Sequence, residues 1–373
     1  MKIKPRTGFA LALILAVVLV LSACGSKEEN ANNAGNAGNA PANNAAAGGD
    51  ASLDSLKGKK IALIMQFNQG TFSAQYVDGV KKQIEKFGGK VTVLASDNDL
   101  NKMVTNLDTA VNQKYDGILI DHGSADALTN GVNKAIAAKI PVVAFDSGLS
   151  VEAVTSLAQN DQLLAEKSLE ALKKDSGGKG NIVKVWVAGF PPMETRQITY
   201  AEFLKNNPDI KEISQFGDAN QAQLDAQTRM EAVLKQYPEK GSITAVWAAW
   251  DEFAKGVTNA IKQAGRTEIK VYGIDLSDED LALIQDPASP WVASAGADPS
   301  SIGQVQVRYL YQKLHGDQTD ATVQIEPVFV SRDALPTDKK ITTAELGEYV
   351  KGWGTSEQGN TDYLKALEQS VGK

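Results

Sequence analysis

The sequence predicts an α/β fold of two doubly wound lobes, each built on a parallel sheet. Short apolar runs alternate with stretches of helical period along most of the chain after residue 58. Such alternation is typical of βαβ units and parallel sheets. The pattern starts again after about Asp161, so two comparable blocks follow one another. The chain is also long enough for two domains of ordinary size.

The first segment has the layout of a secretory signal peptide. A basic start precedes the apolar stretch 9–21, which is too short to span a bilayer as a stable helix. Leu21-Ser22-Ala23-Cys24 follows, with the one cysteine of the chain at its end. This tetrapeptide resembles the lipobox of bacterial lipoproteins, which implies that residues 1–23 are removed and that Cys24 is lipidated. The alternatives are an ordinary signal peptide and a core cysteine at this place by chance.

Residues 24–57 are predicted to be a flexible tether. The segment 25–50 is almost wholly Asn, Ala and Gly and has no apolar periodicity. Such a segment buries too little surface to offset the entropy lost on ordering. Its expected role is to hold a folded domain away from the membrane surface.

The elements of the first block follow from apolar runs and helical stripes. Gly88-Gly89 ends the first long helix, and Asp99 is the predicted N-cap of the next. The predicted strands are 60–65, 91–95, 117–120, 141–145 and 154–157, and the predicted helices are 73–87, 99–114 and one around 128–136.

The second block repeats this alternation. Ser277 and Asp280 form a predicted capping box, and Pro327 indicates a break or an edge in the last strand. The predicted strands are 181–187, one near 213, 244–247, 270–274, 291–294 and 323–330. The predicted helices are 163–172, 196–206, 222–236, 253–263, 278–285 and 300–314.

Polar and aromatic residues follow most of these strands. Ligands bind at the carboxyl ends of strands in doubly wound sheets, so these positions are the candidates for a site. They comprise Gln66 to Gln69 and Phe72, Asp121-His122, Asp146-Ser147, Phe190 with Glu194 and Arg196, Trp250-Asp251-Glu252, Asp275 and Asp298.

Four segments together resemble the type I periplasmic sugar-binding proteins, the ribose-binding-like family that serves ABC importers. They are Asp116–Ile120, Ile140–Asp146, Trp250–Gly256 and Val271–Asp275, and the resemblance covers about 58–332. It implies two lobes joined by three crossovers. The first lobe would be 58–160 with 298–326, and the second 161–297 with 327–373, including a helical extension near Leu346–Leu367.

The resemblance also implies which residues bind. The predicted ligand-binding residues are Asn68, Gln69, Phe72, Asp146, Ser147, Glu194, Arg196, Trp250, Asp251, Asp275 and Asp298. Asp146 and Asp275 match the aspartates of the two lobes, and Arg196 matches a binding arginine. Trp250 stands where many members of the family carry Asn, which puts ribose itself in doubt.

Each assignment has a structural alternative. Asp146 could serve a turn or cap, whereas the capping box at Ser277 leaves Asp275 no capping role. Asn68 and Gln69 compete for one position, as do Glu194 and Arg196. Other candidates are open as well: Phe72 could be core, Asp251 an N-cap, His122 a surface turn, and Gln159-Asn160-Asp161 part of both hinge and site.

The chemistry of sugar capture favours the same residue types. Carboxylates and arginine bind vicinal hydroxyls with charge-assisted, often bidentate hydrogen bonds. Aromatic faces cover the C–H faces of a sugar ring. Two lobes that close on a hinge then exclude water from the bound sugar.

Other classes find little support. Removal of residues 1–23 takes away three basic residues and changes the formal net charge from −7 to −10, which argues against nucleic acid as a partner. The two histidines, His122 and His315, are far apart, and the sequence has no metal-ligand spacing, phosphate loop or nucleophile elbow. We therefore expect no cofactor, no metal and no catalysis.

The sequence thus predicts a monomeric, lipid-anchored, extracytoplasmic binding protein for an ABC importer. Its expected partners are a monosaccharide or related polyol, the permease subunits, and the membrane through Cys24. A Gram-positive cell surface is favoured, since a free protein would diffuse away there. The rivals are a receptor for a signalling sugar and a lipid-anchored carbohydrate hydrolase. A repressor of the lactose type is excluded because the N-terminus lacks a helix-turn-helix.

Overall fold

The computed structural model describes residues 52–354 and 357–371 of the chain. The predicted signal peptide, Cys24 and the tether up to residue 51 lie outside the described residues. Within the described ranges, no helix is both long enough and apolar enough to cross a bilayer.

Strands and helices alternate in the first block, as the sequence predicts. Its elements are α1 (Leu53–Leu56), β1 (Lys60–Met65), α2 (Gly70–Lys86), β2 (Lys90–Ala95), α3 (Leu100–Asn112), β3 (Gly117–Asp121), α4 (Ala125–Ala137), β4 (Val142–Phe145) and β5 (Thr155–Gln159). Asp99 caps α3 by accepting hydrogen bonds from the amides of Asn101 and Lys102. Because Leu56 of α1 is fully buried, residues 53–57 belong to the folded lobe and not to the predicted tether.

The second block repeats the pattern. Its elements are α5 (Asp161–Asp175), β6 (Gly180–Val185), α6 (Pro191–Asn206), β7 (Ile210–Phe216), α7 (Ala222–Gln236), β8 (Ala245–Ala248), α8 (Asp251–Gln263), β9 (Lys270–Ile274), α9 (Asp278–Gln285) and β10 (Trp291–Gly296). Ser277 and Asp280 form the predicted capping box at the start of α9.

The last part of the chain returns to both lobes. Its elements are α10 (Pro299–His315), β11 (Thr322–Ile325), β12 (Val328–Ser331), the 3-10 turns Arg332–Ala334 and Leu346–Glu348, and α11 (Asp362–Ser370). The predicted single strand 323–330 breaks at Pro327, so that β11 and β12 join different sheets.

The described strands form two sheets of six with equivalent order. The first runs β11-β5-β4-β3-β1-β2 and the second β12-β10-β9-β8-β6-β7. Neighbouring strands are parallel except β10 and β12. The chain passes between the sheets three times, after β5, after β10 and after β11. The predicted α/β fold of two doubly wound lobes is thereby confirmed.

The C-terminal segment differs from the prediction. Of the expected helical extension at 346–367, the structure has a 3-10 turn and then α11. Trp353 is buried in the core of the second lobe, where its indole N–H donates to the carbonyl of Thr343. Leu364 and Leu367 of α11 pack instead into the core of the first lobe. The last helix therefore crosses back, although 327–373 is predicted to lie with the second lobe.

Close packing of α2 against α10 positions one wall of the interlobe cleft. A Cβ atom on Gly79 would lie 2.1 Å from the carbonyl oxygen of Ser300, and one on Gly303 would lie 2.5 Å from that of Tyr76. Only glycine permits this approach of two backbones. The packing fixes the first turns of α2, which carry Phe72 and Tyr76 toward the cleft.

Candidate functional site

A cavity lies between the lobes at the carboxyl ends of the central strands. It is concave and partly open to solvent, and residues of both lobes line it, as is usual for small-molecule sites. Its walls include residues that follow β1 and β3 in the first sheet and β6 and β8 in the second. In this strand order those ends are the topological switch points where ligands bind.

Five polar residues form a hydrogen-bonded network that connects the two lobes at this cavity. The Gln159 amide N–H donates to Oδ1 of Asp146 at 3.4 Å, and Nε2 of Gln159 donates to Oδ1 of Asp275 at 3.1 Å. Nη1 of Arg196 donates to Oδ2 of Asp275 at 3.4 Å, while Nε donates to Oδ1 of Asp161 at 2.8 Å. All five of these residues are buried.

Burial and mutual repulsion shift the proton affinities of these groups. Burial, together with the neighbouring carboxyl of Asp161, raises the pKa of Asp146 to about 8. Burial also raises the pKa of Asp275, against the opposing pull of Arg196. Asp146 is therefore able to gain or lose a proton near neutrality.

His122 and Asp121 form an ion pair beside them. Nδ1 of His122 lies 2.9 Å from Oδ1 of Asp121. Burial opposes the charged imidazole, but Asp121, with Asp146 and Asp275, outweighs this effect and raises the pKa of His122 to about 9. His122 is therefore protonated and positively charged at neutral pH.

Three cavity residues have left-handed backbone conformations. The φ angles are 59° at His122, 49° at Asp146 and 71° at Asp275. Non-glycine residues seldom adopt this region, and such residues cluster at functional sites. Each directly follows or lies just beyond a strand end, where the left-handed turn aims the side chain into the cleft.

Aromatic rings from both lobes form another wall. The ring of Phe67 in the first lobe lies 5.5 Å from that of Phe190 and 5.9 Å from that of Trp250, both in the second lobe. It also lies 5.7 Å from the imidazole of His122, which contacts Phe145 edge-on. These centroid distances are those of tilted and edge-to-face aromatic pairs.

Hydrogen bonds join the lobes at the rim of the cleft. Nδ2 of Asn98 donates to Oδ1 of Asn220 at 2.7 Å, and the Thr71 hydroxyl donates to Oε2 of Glu279 at 3.1 Å. The amide of Asp278 donates to Oε1 of Gln75 at 2.9 Å. The described lobes are therefore in contact across the cleft, which is a closed arrangement.

Seven of the predicted site residues line the cavity. They are Gln69, Phe72, Asp146, Arg196, Trp250, Asp251 and Asp275. The structure does not bring the other four to it. Asn68 is exposed, and the Ser147 hydroxyl accepts from the amide of Leu149. Glu194 accepts from the amide of Gly189, and Asp298 caps α10.

Asp251 is not the N-cap of α8 that the sequence suggests. Trp250 occupies the N-cap position without a side-chain cap, and Asp251 is the first helical residue. Its carboxylate is fully buried, 3.5 Å from Nζ of Lys255. The opposing charge of Lys255 gives this buried carboxylate a structural role beside its place in the lining.

Several lining residues were missed or left open. Phe67, Phe190, Asp121 and Glu252 are among the polar and aromatic positions after strands, and His122 and Gln159 are among the open candidates. Tyr76, Met193, Val187 and Ala219 also line the cavity, and the polar pattern at the strand ends does not predict them. Tyr76 and Met193 occupy the early turns of α2 and α6, so the helical phase of these turns is the signal for them.

The described residues include no group of three or more His, Cys, Asp or Glu side chains arranged to hold a metal ion. Among the lining carboxyl groups, Asp146 and Asp275 accept hydrogen bonds from Gln159, and Asp275 also accepts from Arg196. Their arrangement is suited to hydrogen bonding with a polar, uncharged ligand whose other faces contact aromatic rings.

Comparison with known proteins gives a consistent set of similarities. Residues 61–318 match the family model of the periplasmic binding protein domain. The D-apiose import binding protein of Actinobacillus succinogenes is 31% identical over 225 residues, which cover 58% of this chain and 70% of that protein.

Solved structures show the same similarity over a larger part of the chain. A sugar ABC transporter protein of Yersinia enterocolitica is 35% identical with a TM-score of 0.82, covering 86% of this chain and 98% of that one. The 5-methylthioribose transporter solute-binding protein of Thermotoga lettingae, in complex with 5-methylthioribose, is 31% identical with a TM-score of 0.79, covering 83% and 96%.

Proposed function

Because the chain belongs to the periplasmic binding protein domain family, we propose that it captures a monosaccharide or related polyol in the interlobe cavity and delivers it to an ABC importer. The observation that carries this proposal is the buried chain Asp146–Gln159–Asp275–Arg196. It places donors and acceptors from both lobes in one cavity with aromatic walls. Vicinal hydroxyls need both kinds of partner, and a buried polar site discriminates strongly against analogues that lack a hydroxyl it binds.

The relatives support the ligand class. Their names refer to import of D-apiose and of 5-methylthioribose, and one is a sugar transporter protein without a named sugar. We infer that this chain takes a ligand of similar size, with Gln69, Phe72, Asp146, Arg196, Trp250 and Asp275 as its contacts.

Binding without chemical change is the other half of the proposal. Asp275 accepts from both Gln159 and Arg196, and Asp146 accepts from the amide of Gln159. These hydrogen bonds fix the positions of the two carboxyl groups, which supports a role for them in binding. Incubation with candidate glycosides is expected to return them unchanged, and hydrolysis products would instead support the hydrolase alternative.

A ligand panel tests the proposal directly. Thermal shift and calorimetry of the purified mature protein would be measured with pentoses, hexoses, their deoxy and 5-thio forms, and polyols. At least one of these is expected to raise the melting temperature. Asp146→Asn and Asp275→Asn are each expected to weaken its affinity by about a hundredfold, because each exchange replaces an acceptor oxygen at a buried site with an amide NH₂ group that cannot accept.

The matched control is Glu85→Gln, which neutralises an exposed carboxylate on the outer part of α2. It is expected to leave affinity within about twofold of the wild type. A panel without any thermal shift, or wild-type affinity in both aspartate variants, would refute the proposal.

The anchor belongs to the same proposal. We propose that Cys24 carries lipid and holds the protein at the outer face of the cell membrane, close to its permease. The support is the sequence alone, namely the apolar stretch 9–21 followed by Leu-Ser-Ala-Cys.

A further inference from the structure

The part of the chain that follows β12 is attached to both lobes. Trp353 is buried in the core of the second lobe. Leu364 and Leu367 of α11 are buried in the core of the first lobe. This C-terminal segment is therefore in a position to respond to any movement of one lobe relative to the other.

Thr343 fixes the segment to the second lobe near the rim of the cleft. Its side chain is buried, and its carbonyl accepts from the indole N–H of Trp353 at 2.7 Å. The amide and the hydroxyl of Thr343 both donate to Oδ1 of Asp278 at the start of α9, each at 2.7 Å. Backbone and side chain of Thr343 are thus held against the second lobe.

A side chain of the first lobe completes a ring of hydrogen bonds with these two residues. Nε2 of Gln75, on α2, donates to Oγ1 of Thr343 at 2.7 Å, and Oε1 of Gln75 accepts from the amide of Asp278 at 2.9 Å. A hydroxyl both donates and accepts, so Thr343 accepts from one lobe while it donates to the other. Because Gln75 and Asp278 belong to different lobes, the ring forms only when the lobes meet.

We propose that Thr343 is a positioning residue for ligand capture, through which the C-terminal segment acts as a clasp that holds the closed form and slows release of the ligand. This inference rests on the proposed function, since it concerns release from the same cavity. Thr343 does not itself line the cavity, and it lies beyond residues 61–318 of the family match. A bond made only in the closed form favours that form and has to break before a trapped ligand leaves.

Rates of ligand release in Thr343 variants test the inference. The probe is the tightest binder among D-ribose, D-apiose, 5-methylthio-D-ribose and xylitol. Stopped-flow tryptophan fluorescence of the purified mature protein would report release, because Trp250 lines the cavity. Thr343→Val removes the hydroxyl with little change of shape and is expected to raise koff about fivefold, as for one net hydrogen bond, with little change in kon. Thr343→Ser keeps the hydroxyl and is expected to release the probe at the wild-type rate.

Thr342→Val is the matched control. Thr342 is the neighbouring threonine and is exposed, and its hydroxyl donates to Oε2 of Glu345 in the same segment at 3.0 Å. The substitution removes a hydroxyl of the same kind without touching the first lobe. It is expected to leave koff unchanged.

Gln75→Met breaks the ring from the side of the first lobe and serves as the second variant should Thr343→Val fold poorly. It is expected to raise koff at least as much as Thr343→Val does. The double variant is expected to release the probe no faster than Gln75→Met alone, because the ring is already broken. Effects that multiply in the double variant would show that the two residues act independently, which contradicts the clasp.

The outcomes separate this inference from the proposed function. Release at the wild-type rate in Gln75→Met, or an equal rise of koff in Thr342→Val, overturns the inference while binding of the probe leaves the proposed function standing. Binding of none of the sugars and polyols overturns both. A faster release in Thr343→Val and Gln75→Met, but not in Thr343→Ser or Thr342→Val, supports the inference.

Discussion

Four buried carboxyl groups share two cationic side chains at the centre of the cleft. They are Asp121, Asp146, Asp161 and Asp275, with His122 and Arg196. Burial and then the neighbouring carboxyls raise the pKa of Asp146, whereas for His122 the surrounding carboxyls raise the pKa against the opposing effect of burial. Asp146 and His122 therefore bind protons more tightly in the folded state than in the unfolded state. The free energy of unfolding of the unliganded protein is expected to depend on pH near neutrality for this reason.

The sign of this dependence is the same for both groups. The pKa of His122 rises from 6.5 to about 9, so its contribution to stability is present below pH 6.5 and is lost as pH rises toward 9. The pKa of Asp146 rises from 3.8 to about 8, so the folded state favours the neutral acid and loses stability as pH rises from about 4 to 8. The free energy of unfolding without ligand is expected to fall between pH 6.5 and 8, by at most about 1.4 kcal/mol per pH unit for each group.

His122→Asn tests the histidine part of this dependence, since Asn tolerates the left-handed backbone at this position. Urea unfolding at pH 5, 7 and 9 would be compared between variant and wild type. The variant is expected to lose less stability between pH 7 and 9. An identical slope in the two proteins would show that the imidazole does not gain a proton on folding.

The sequence predicts some of the cavity residues and not others. Asp146 and Asp275 follow from their place at strand ends and from the family resemblance. Which of several consecutive polar residues enters the cavity depends on backbone torsion angles that the pattern does not contain. At Asp146 the left-handed turn sends the carboxylate inward and leaves Ser147 to bond Leu149. At Asp298 the side chain is used by the amides of Ser300 and Ser301.

At the scale of elements, the first turn of α2 contacts two carboxylates of the other lobe, Glu252 in the first turn of α8 and Glu279 in the first turn of α9. Nζ of Lys255 lies 3.2 Å from Oε2 of Glu279 and also bonds Oε1 of Glu252. Thr71 of α2 donates to Glu279, and a Cβ atom on Gly70 would lie 2.2 Å from Oε1 of Glu252. The positive end of the α2 dipole favours these carboxylates, so this contact stabilises the closed arrangement.

Gly70→Ala is therefore expected to oppose closure. The φ angle of Gly70 is +80°, and the added methyl group would overlap the Glu252 carboxylate that Lys255 holds. Since the overlap arises only when the lobes meet, the affinity for the ligand is expected to fall about tenfold, which corresponds to about 1.4 kcal/mol. Calorimetry with the ligand found in the panel would measure it.

Gly58→Ala is the matched control for this variant. Gly58 has a similar φ of +70°, and nothing lies within 4 Å of the added Cβ. It incurs the same backbone strain without touching the other lobe, so melting temperature is expected to fall while affinity is retained. Equal loss of affinity in the two variants would show that strain, and not closure, is responsible.

Elements with a strong period were predicted well, and the C-terminal segment was not. The helix 222–236 and the helix 278–285 have the predicted bounds because their apolar stripes or caps are local signals. Between the turn Leu346–Glu348 and α11, Gly352, Gly354 and Gly359 interrupt the expected extension, and all three have left-handed backbones. The packing of α11 against the first lobe depends on contacts between residues far apart in the sequence, and no local sequence pattern indicates it.

At the scale of the whole molecule, two sheets with the same strand order present their switch points to each other. The cavity between them takes Asp146 and Phe67 from one lobe and Asp275, Arg196 and Trp250 from the other. Gln159 ends β5, just before the first passage between sheets, and bonds carboxylates of both lobes. Under the proposed function, ligand binding and lobe closure would depend on the same residues, and a permease that recognises the closed form would distinguish the loaded protein from the empty one.

The predicted anchor would make such recognition efficient. A protein tethered through Cys24 stays near its permease at a high effective concentration, whereas a released one is diluted into the medium. Cys24→Ala is therefore expected to reduce uptake of radiolabelled ligand by intact cells several-fold and to move the protein into the culture supernatant. The affinity of the purified variant is expected to equal that of the wild type, because Cys24 lies more than thirty residues before the first strand. Uptake at the wild-type rate by cells whose binding protein is in the supernatant would show that transport does not require the anchor.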